Sequence, residues 1–198
     1  MEELLQRENE KGVDSPEKIP VIKGIFVRSH INALRKEKGE QGVKLLEKKF
    51  GRSVKFKNSD DVPVKDEIKI LELVYEILYG EGIDEKQRAF EAGRLHFKNF
   101  TSTPLARIIF PMFRKRFKTI LLRSNNIASH VFRGIKFYSQ DIGENAVKVT
   151  MCNADYPIEH FKGLLSEWMH FSGIEGEISA TALSGSTYEY IMQWRKKR

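Results

Sequence analysis

The last third of this chain alternates in a way that only β-strands satisfy. In Thr187–Trp194, the residues Tyr188, Tyr190, Met192 and Trp194 fall on one face, and Thr187, Glu189 and Gln193 fall on the other. A period of two held over eight residues marks a strand with one buried face. Gly134–Gln140 and Ala146–Cys152 flank Asp141–Asn145, a loop containing Gly143. Glu177–Leu183 and Thr187–Trp194 flank Ser184-Gly185-Ser186. Both read as hairpins. Between them, Pro157–Ser172 carries a helical apolar stripe and stops at Gly173, a residue that tolerates the left-handed conformation of a helix end. The predicted order ββαββ gives a four-stranded antiparallel sheet with one face open to helices. Trp168 shares the helix face of Ile158, Phe161 and Leu165 and is expected to anchor that helix on the sheet.

Everything upstream reads as helix. Residues 1–19 are rich in Glu and Lys and read as a flexible charged tail, and residues 20–198 read as a single domain. Val21–Val27 is a strand or a helix entry. Ser29 is the expected cap of a helix ending at Gly39, and Glu40–Lys49 forms a second helix ending at Gly51. Arg52–Asp61 is expected to be loop. Pro63 opens Val64–Tyr79, which is apolar on most sides and is expected to be the central helix. Asp66 and Glu67 read as first-turn charges. Asp84 with Gln87 makes a capping-box start for Asp84–Phe100, where Ala89, Ala92 and Gly93 form a smooth patch. Leu105–Phe113 and Arg116–Val131 complete the helices. The fold class is α+β: a helical N-terminal two-thirds packed on the four-stranded sheet.

Composition narrows the function classes. The single cysteine, Cys152, excludes an internal disulfide framework and a cysteine-based zinc site. The N-terminal residues carry no apolar signal-peptide core, and no apolar run approaches a membrane span, so the expected location is the cytoplasm. The net charge of +7 permits an anionic partner. Phosphate-loop, dinucleotide and nucleophile-elbow motifs are absent. None of the five histidines forms His-x-x-x-His, so no metal site is expected. His160 falls on the flank away from Phe161, Leu165 and Trp168 and is expected to face solvent. His96, between Leu95 and Phe97, is expected to be packed or hydrogen-bonded. No paired carboxylates lie in an apolar segment suited to acid–base work, and the chain reads as non-enzymatic.

The order of several short motifs resembles one family. Lys23-Gly24-Ile25-Phe26 comes first. Glu91-Ala92-Gly93-Arg94, Phe97 and Phe100 follow, with Thr101–Leu105 and Arg107 after them. Pro157, Phe161, Gly163 and Leu165 come next, and Tyr188, Tyr190 and Trp194 close the series. Over about residues 20–195 this is similar to a family of uncharacterised proteins noted as paralogues in myxobacteria and related predatory bacteria. More distantly, helices followed by ββαββ resemble the haem-nitric-oxide-binding superfamily, with its 4-vinyl-reductase domains and TRAPP subunits. That resemblance implies a ligand held between helices and sheet, or a dimerising scaffold. Its haem members carry Tyr-x-Ser-x-Arg for the propionates. The matching stretch here is Phe137-Tyr138-Ser139-Gln140-Asp141, where Phe replaces Tyr and Asp replaces Arg. No histidine stands where the proximal ligand is expected. No haem, and no other cofactor, is expected.

The chain is therefore expected to be a ligand-binding or regulatory interaction domain for a small apolar ligand or a protein partner. The pocket should lie between helices Asp84–Phe100 and Leu105–Phe113 and the sheet, lined by Phe90, Phe97, Phe110, Phe137 and Trp168. The alternative is an anion-binding module for nucleotide or nucleic acid, built from Arg107, Arg114, Arg116, Lys118 and Arg123. A homodimer is expected to form through the Ala89, Ala92 and Gly93 patch.

Overall fold

A computed structural model describes residues 19–101 and 116–195. The expected helix Leu105–Phe113, most of the N-terminal tail and the last three basic residues lie outside them. Strand β1 (Val21–Lys23) passes directly into helix α1 (Gly24–Phe50). The turn between them is tight because Gly24 has no side chain: a Cβ there would sit 2.1 Å from the Lys57 carbonyl oxygen. The helix therefore starts five residues before the expected cap. Ser29 is buried inside it, with its hydroxyl donating to the Phe26 carbonyl at 2.6 Å. Gly39, at φ 64° and ψ −165°, breaks α1 into two helical halves at the expected place.

Residues of the expected 52–61 loop lead into β2 (Asp61–Pro63), which pairs with β1, and β1 pairs in turn with β3 (Phe132–Arg133). These strands are too short to carry a readable period. Helix α2 (Val64–Tyr79) follows Pro63 as expected and buries Glu67, Ile70, Leu71 and Val74 on one stripe. In α3 (Glu85–Thr101) the Asp84 carboxylate accepts the Gln87 amide at 3.0 Å, so the expected cap is formed. The expected helix Arg116–Val131 is two, α4 (Phe117–Leu121) and α5 (Ser124–Val131). A tight bond from the Arg123 amide to the Ile120 carbonyl, 2.9 Å, closes the first, and the weak helix formers Ser124-Asn125-Asn126 begin the second.

The C-terminal part matches the ββαββ reading. Strands β4 (Lys136–Gly143), β5 (Ala146–Cys152), β6 (Gly176–Ser184) and β7 (Thr187–Trp194) form an antiparallel sheet in the order β4-β5-β7-β6, with α6 (Ile158–Phe171) between the hairpins. Val147, Val149 and Met151 of β5 face the helices beside Tyr190 and Met192 of β7, all buried. One apolar core runs from Ile22 through α2 and α3 to Met192. No helix among the described residues is long and apolar enough to cross a membrane.

Helices α3 and α6 touch backbone to backbone. A Cβ on Gly93 would lie 1.8 Å from the His160 carbonyl oxygen, and one on Gly163 would lie 2.0 Å from that of Phe90. The smooth patch of Ala89, Ala92 and Gly93 is buried in this crossing. It is covered by α6 of the same chain, so it is not free to form the expected dimer interface. The crossing also corrects the reading of His160, which is 1% exposed. Its flank faces away from the sheet but toward α3. Arg94 reaches Glu167 at 2.9 Å and fastens the same pair of helices.

The glycine crossing yields a sign test. In an open helix Gly→Ala adds roughly 1 kcal/mol of stability. Gly93→Ala and Gly163→Ala should each remove about 1–3 kcal/mol in urea unfolding, because the added methyl meets backbone that cannot give way. Stabilisation by either variant would mean the helices do not approach this closely.

Candidate functional site

Four helices converge on a buried polar cluster. His30 comes from α1, Glu67 from α2, and His96 and Asn99 from α3. His160 comes from α6, and Tyr156 from the segment before α6. His30 and Glu67 are 0% exposed. His30 Nε2 lies 2.9 Å from Glu67 Oε1, and the Tyr156 hydroxyl donates to Glu67 Oε2 at 2.8 Å. His96 Nδ1 lies 3.5 Å from Glu67 Oε1 and 3.1 Å from His160 Nε2. The Asn99 amide nitrogen stands 3.1 Å from His30 Nδ1. The rings pack as well as bond: His30 meets His96 edge-on at 4.9 Å, and Tyr156 lies 4.7 Å from His160.

The electrostatics follow from this burial. Desolvation opposes a charge on Glu67, but the imidazoles of His96 and His30 around it hold its carboxyl below the ordinary range. Burial pushes the His96 and His160 imidazoles well down, so both are neutral at physiological pH. Burial, with the Glu67 carboxylate beside it, pushes the Tyr156 phenol well up, and it stays a donor. The cluster thus keeps an ionised carboxylate in the protein interior, surrounded by imidazole nitrogens and a phenolic hydroxyl.

Beside this cluster lies a cavity of about 140 Å³. It is bounded by α3, α5, α6 and the sheet, and its walls include Phe26, Phe97, Leu121, Phe132, Phe137 and Trp168. The polar groups at its edge are His96, Ser124 and Tyr190. His96 therefore belongs both to the cavity wall and to the polar cluster. Trp168 stacks on Phe97 at 6.2 Å between ring centres and meets Phe117 edge-on at 5.3 Å, as expected of an anchor.

Of the five expected pocket residues, Phe97, Phe137 and Trp168 line this cavity. Phe90 does not. It is half-buried beside Lys162, Ser166 and Met169. It shares a helix face with Phe97, but seven residues at 1.5 Å each place it about 10 Å along the axis. Phe110 lies outside the described residues. So do Arg107 and Arg114 of the expected anion site. Of the others, Arg116 and Arg123 are exposed, whereas Lys118 is committed to Asp141 at 2.8 Å and to the Gly143 carbonyl at 2.7 Å.

The sequence reading missed Glu67, His30 and Tyr156. One signal was present: Glu67 shares its helix stripe with Ile70, Leu71 and Val74, so a charge sits where that helix is most apolar. The meeting of four helices has no signature in local spacing.

The family model described as "Protein of unknown function (DUF2378)" matches residues 20–195. The chain belongs to the DUF2378 family. No curated protein matches it. Among solved structures, this DUF2378 chain is similar to H-NOX domains. A mutant of the T. Tengcongensis H-NOX has 16% identity and a TM-score of 0.59, covering 88% of this chain and 98% of that one. An oxygen-binding H-NOX domain related to soluble guanylate cyclases has 15% identity and a TM-score of 0.60, covering 88% and 96%. A structure concerned with haem redox potential and porphyrin distortion has 16% identity and a TM-score of 0.62, covering 88% and 96%. The DUF2378 chain thus shares the H-NOX fold.

The buried hydrogen bond from Tyr156 stabilises the cluster. Tyr156→Phe keeps the ring and deletes a donor to a charged acceptor. It should cost about 1.5–3 kcal/mol in urea unfolding. A loss under about 0.5 kcal/mol would mean that Glu67 does not depend on this hydroxyl.

Proposed function

We propose that this domain is a regulatory binding module that takes a small apolar molecule, and not haem, into the cavity between α3, α5, α6 and the sheet. The carrying observation is the cavity itself. At about 140 Å³ it has the scale at which a dry, apolar cavity takes one aromatic ring. It is smaller than the roughly 300–1,000 Å³ of sites for larger organic ligands. A four-pyrrole macrocycle would require the aromatic walls to separate.

The residues at the first hairpin also argue against haem. Phe137 stands where haem members have Tyr, and its ring packs on Phe132 and Phe161. Asp141 stands where they have Arg. It is exposed and ion-paired to Lys118, and it would repel a propionate. The cavity walls among the described residues include no lysine or arginine. The H-NOX fold thus supports a binding role here, while the side chains support a different ligand. Among the described residues, the cavity wall is apolar apart from His96, Ser124 and Tyr190, which supports the binding of an apolar ligand.

Benzene or indole should raise the melting temperature of the purified domain in a saturable way. A ligand at a hundred times its Kd adds about 2.7 kcal/mol. Ala128→Met, which puts a larger side chain on the cavity wall, should abolish the rise while leaving a cooperative melt. No rise with either compound at millimolar concentration would count against the proposal, as would equal rises in both proteins. A Soret band at one haem per chain, in protein expressed with haem supplied, would overturn the exclusion of haem.

A further inference from the structure

We propose that the buried cluster behind the cavity is a binding site for one first-row divalent transition metal, zinc by preference, with His30 Nε2, Glu67 Oε1, His96 Nδ1 and His160 Nε2 as its ligands. This goes beyond the apolar-ligand reading and does not rest on it.

The first argument is donor geometry. His30, Glu67 and His96 each offer one donor atom, all within 4.8 Å of one another. Successive donors around the cluster stand 2.9, 3.5 and 3.1 Å apart. A tetrahedral ion with bonds near 2.0–2.1 Å needs donor separations of about 3.3–3.4 Å. Small side-chain rotations would therefore bring the donors of His30, Glu67 and His96 onto one ion. His160 Nε2, 3.1 Å from His96 Nδ1 but outside that group of three, would swing in as the fourth. Each donor comes from a different helix, as in metal sites built in the cores of helix bundles.

The second argument is the outer shell. Metal-binding imidazoles and carboxylates are held by partners on their remaining polar atoms. Glu67 Oε2 has the Tyr156 hydroxyl, at 2.8 Å. His30 Nδ1 has the Asn99 side-chain amide, at 3.1 Å. With the Asn99 carbonyl turned toward it, Nδ1 carries the proton and donates, and Nε2 presents its lone pair to the ion. Tyr156 leaves Glu67 Oε1 free in the same way.

The third argument is the donor set. Three imidazoles and a carboxylate, with no thiolate, suit zinc and its first-row neighbours rather than calcium or magnesium. The carboxylate brings one negative charge to a doubly positive ion. A hydrogen-bonded network serving packing alone is the competing account, and it predicts no metal stoichiometry.

The test uses the full chain without a purification tag. It is stripped with a chelator, dialysed and titrated with Co²⁺. The proposal expects the visible absorption of four-coordinate cobalt to saturate at about one ion per chain. One equivalent of Zn²⁺ should then bleach it, and zinc should raise the melting temperature. Glu67→Gln and His30→Gln should lose the absorption, whereas His130→Ala and His170→Ala should keep it. If the first two variants do not fold, Tyr156→Phe decides alongside the wild type. As an outer-shell change it should weaken cobalt about 10–100-fold and leave stoichiometry unchanged. The proposal is overturned if the wild type binds less than about a tenth of an equivalent. It is overturned equally if Tyr156→Phe binds cobalt as tightly as the wild type, if a folded Glu67→Gln or His30→Gln keeps the absorption, or if His130→Ala or His170→Ala removes it.

Discussion

The close contact of α3 with α6 at Gly93 and Gly163 is the constraint on which the rest of the site depends. Any side chain at either position would meet a backbone carbonyl about 2 Å away. The two helices can lie this close only because both glycines lack a Cβ. That distance lets His96 and His160 reach each other, and it puts Arg94 within reach of Glu167. It also sets how much room remains beyond the crossing. The aromatic side chains of Phe97, Phe132, Phe137 and Trp168 line that room, and the space left between them is the cavity.

Two environments of opposite character then share one side chain. On one face of His96 lies a buried carboxylate with imidazole and phenol partners. On the other lies an apolar cavity. A buried polar network is expensive unless every member is partnered, and here Glu67 is met from three sides. The H-NOX fold supplies the helices-on-sheet frame. The arrangement at this junction is set by a few residues: the two crossing glycines, the four polar groups brought in by separate helices, and Asp141 turned to Lys118 at the first hairpin.

Much of the frame was legible in the sequence. The period-two pattern of Thr187–Trp194, the turn at Gly185, Pro63 before α2, the Asp84 cap and the break at Gly39 each act locally, and these signals hold. Gly143, expected in the loop of the first hairpin, instead ends β4 and pairs with Ala146. The failures share a different cause. The pairing of β1 with β2 and β3 involves strands of two or three residues and links segments far apart in the chain. His160 was placed by its own helix alone, and the neighbour that buries it lies some sixty residues upstream. The smooth patch on α3 signalled close approach correctly but could not name the partner. Phe90 shared the right face with Phe97 but not the right height along the axis. Phe137 and Trp168, close to the sheet in sequence order, are buried toward the core, in keeping with the strand alternation and the helix stripe.

The proposed binding role rests on the small apolar cavity at the junction of α3, α5, α6 and the sheet. A crystal of the domain held under xenon pressure tests it most directly, because xenon enters apolar cavities of this size and can be located in a difference map. The account predicts one xenon site bounded by Phe97, Phe137 and Trp168. A cavity that stays empty under pressure, or that holds a porphyrin carried through purification, would contradict it.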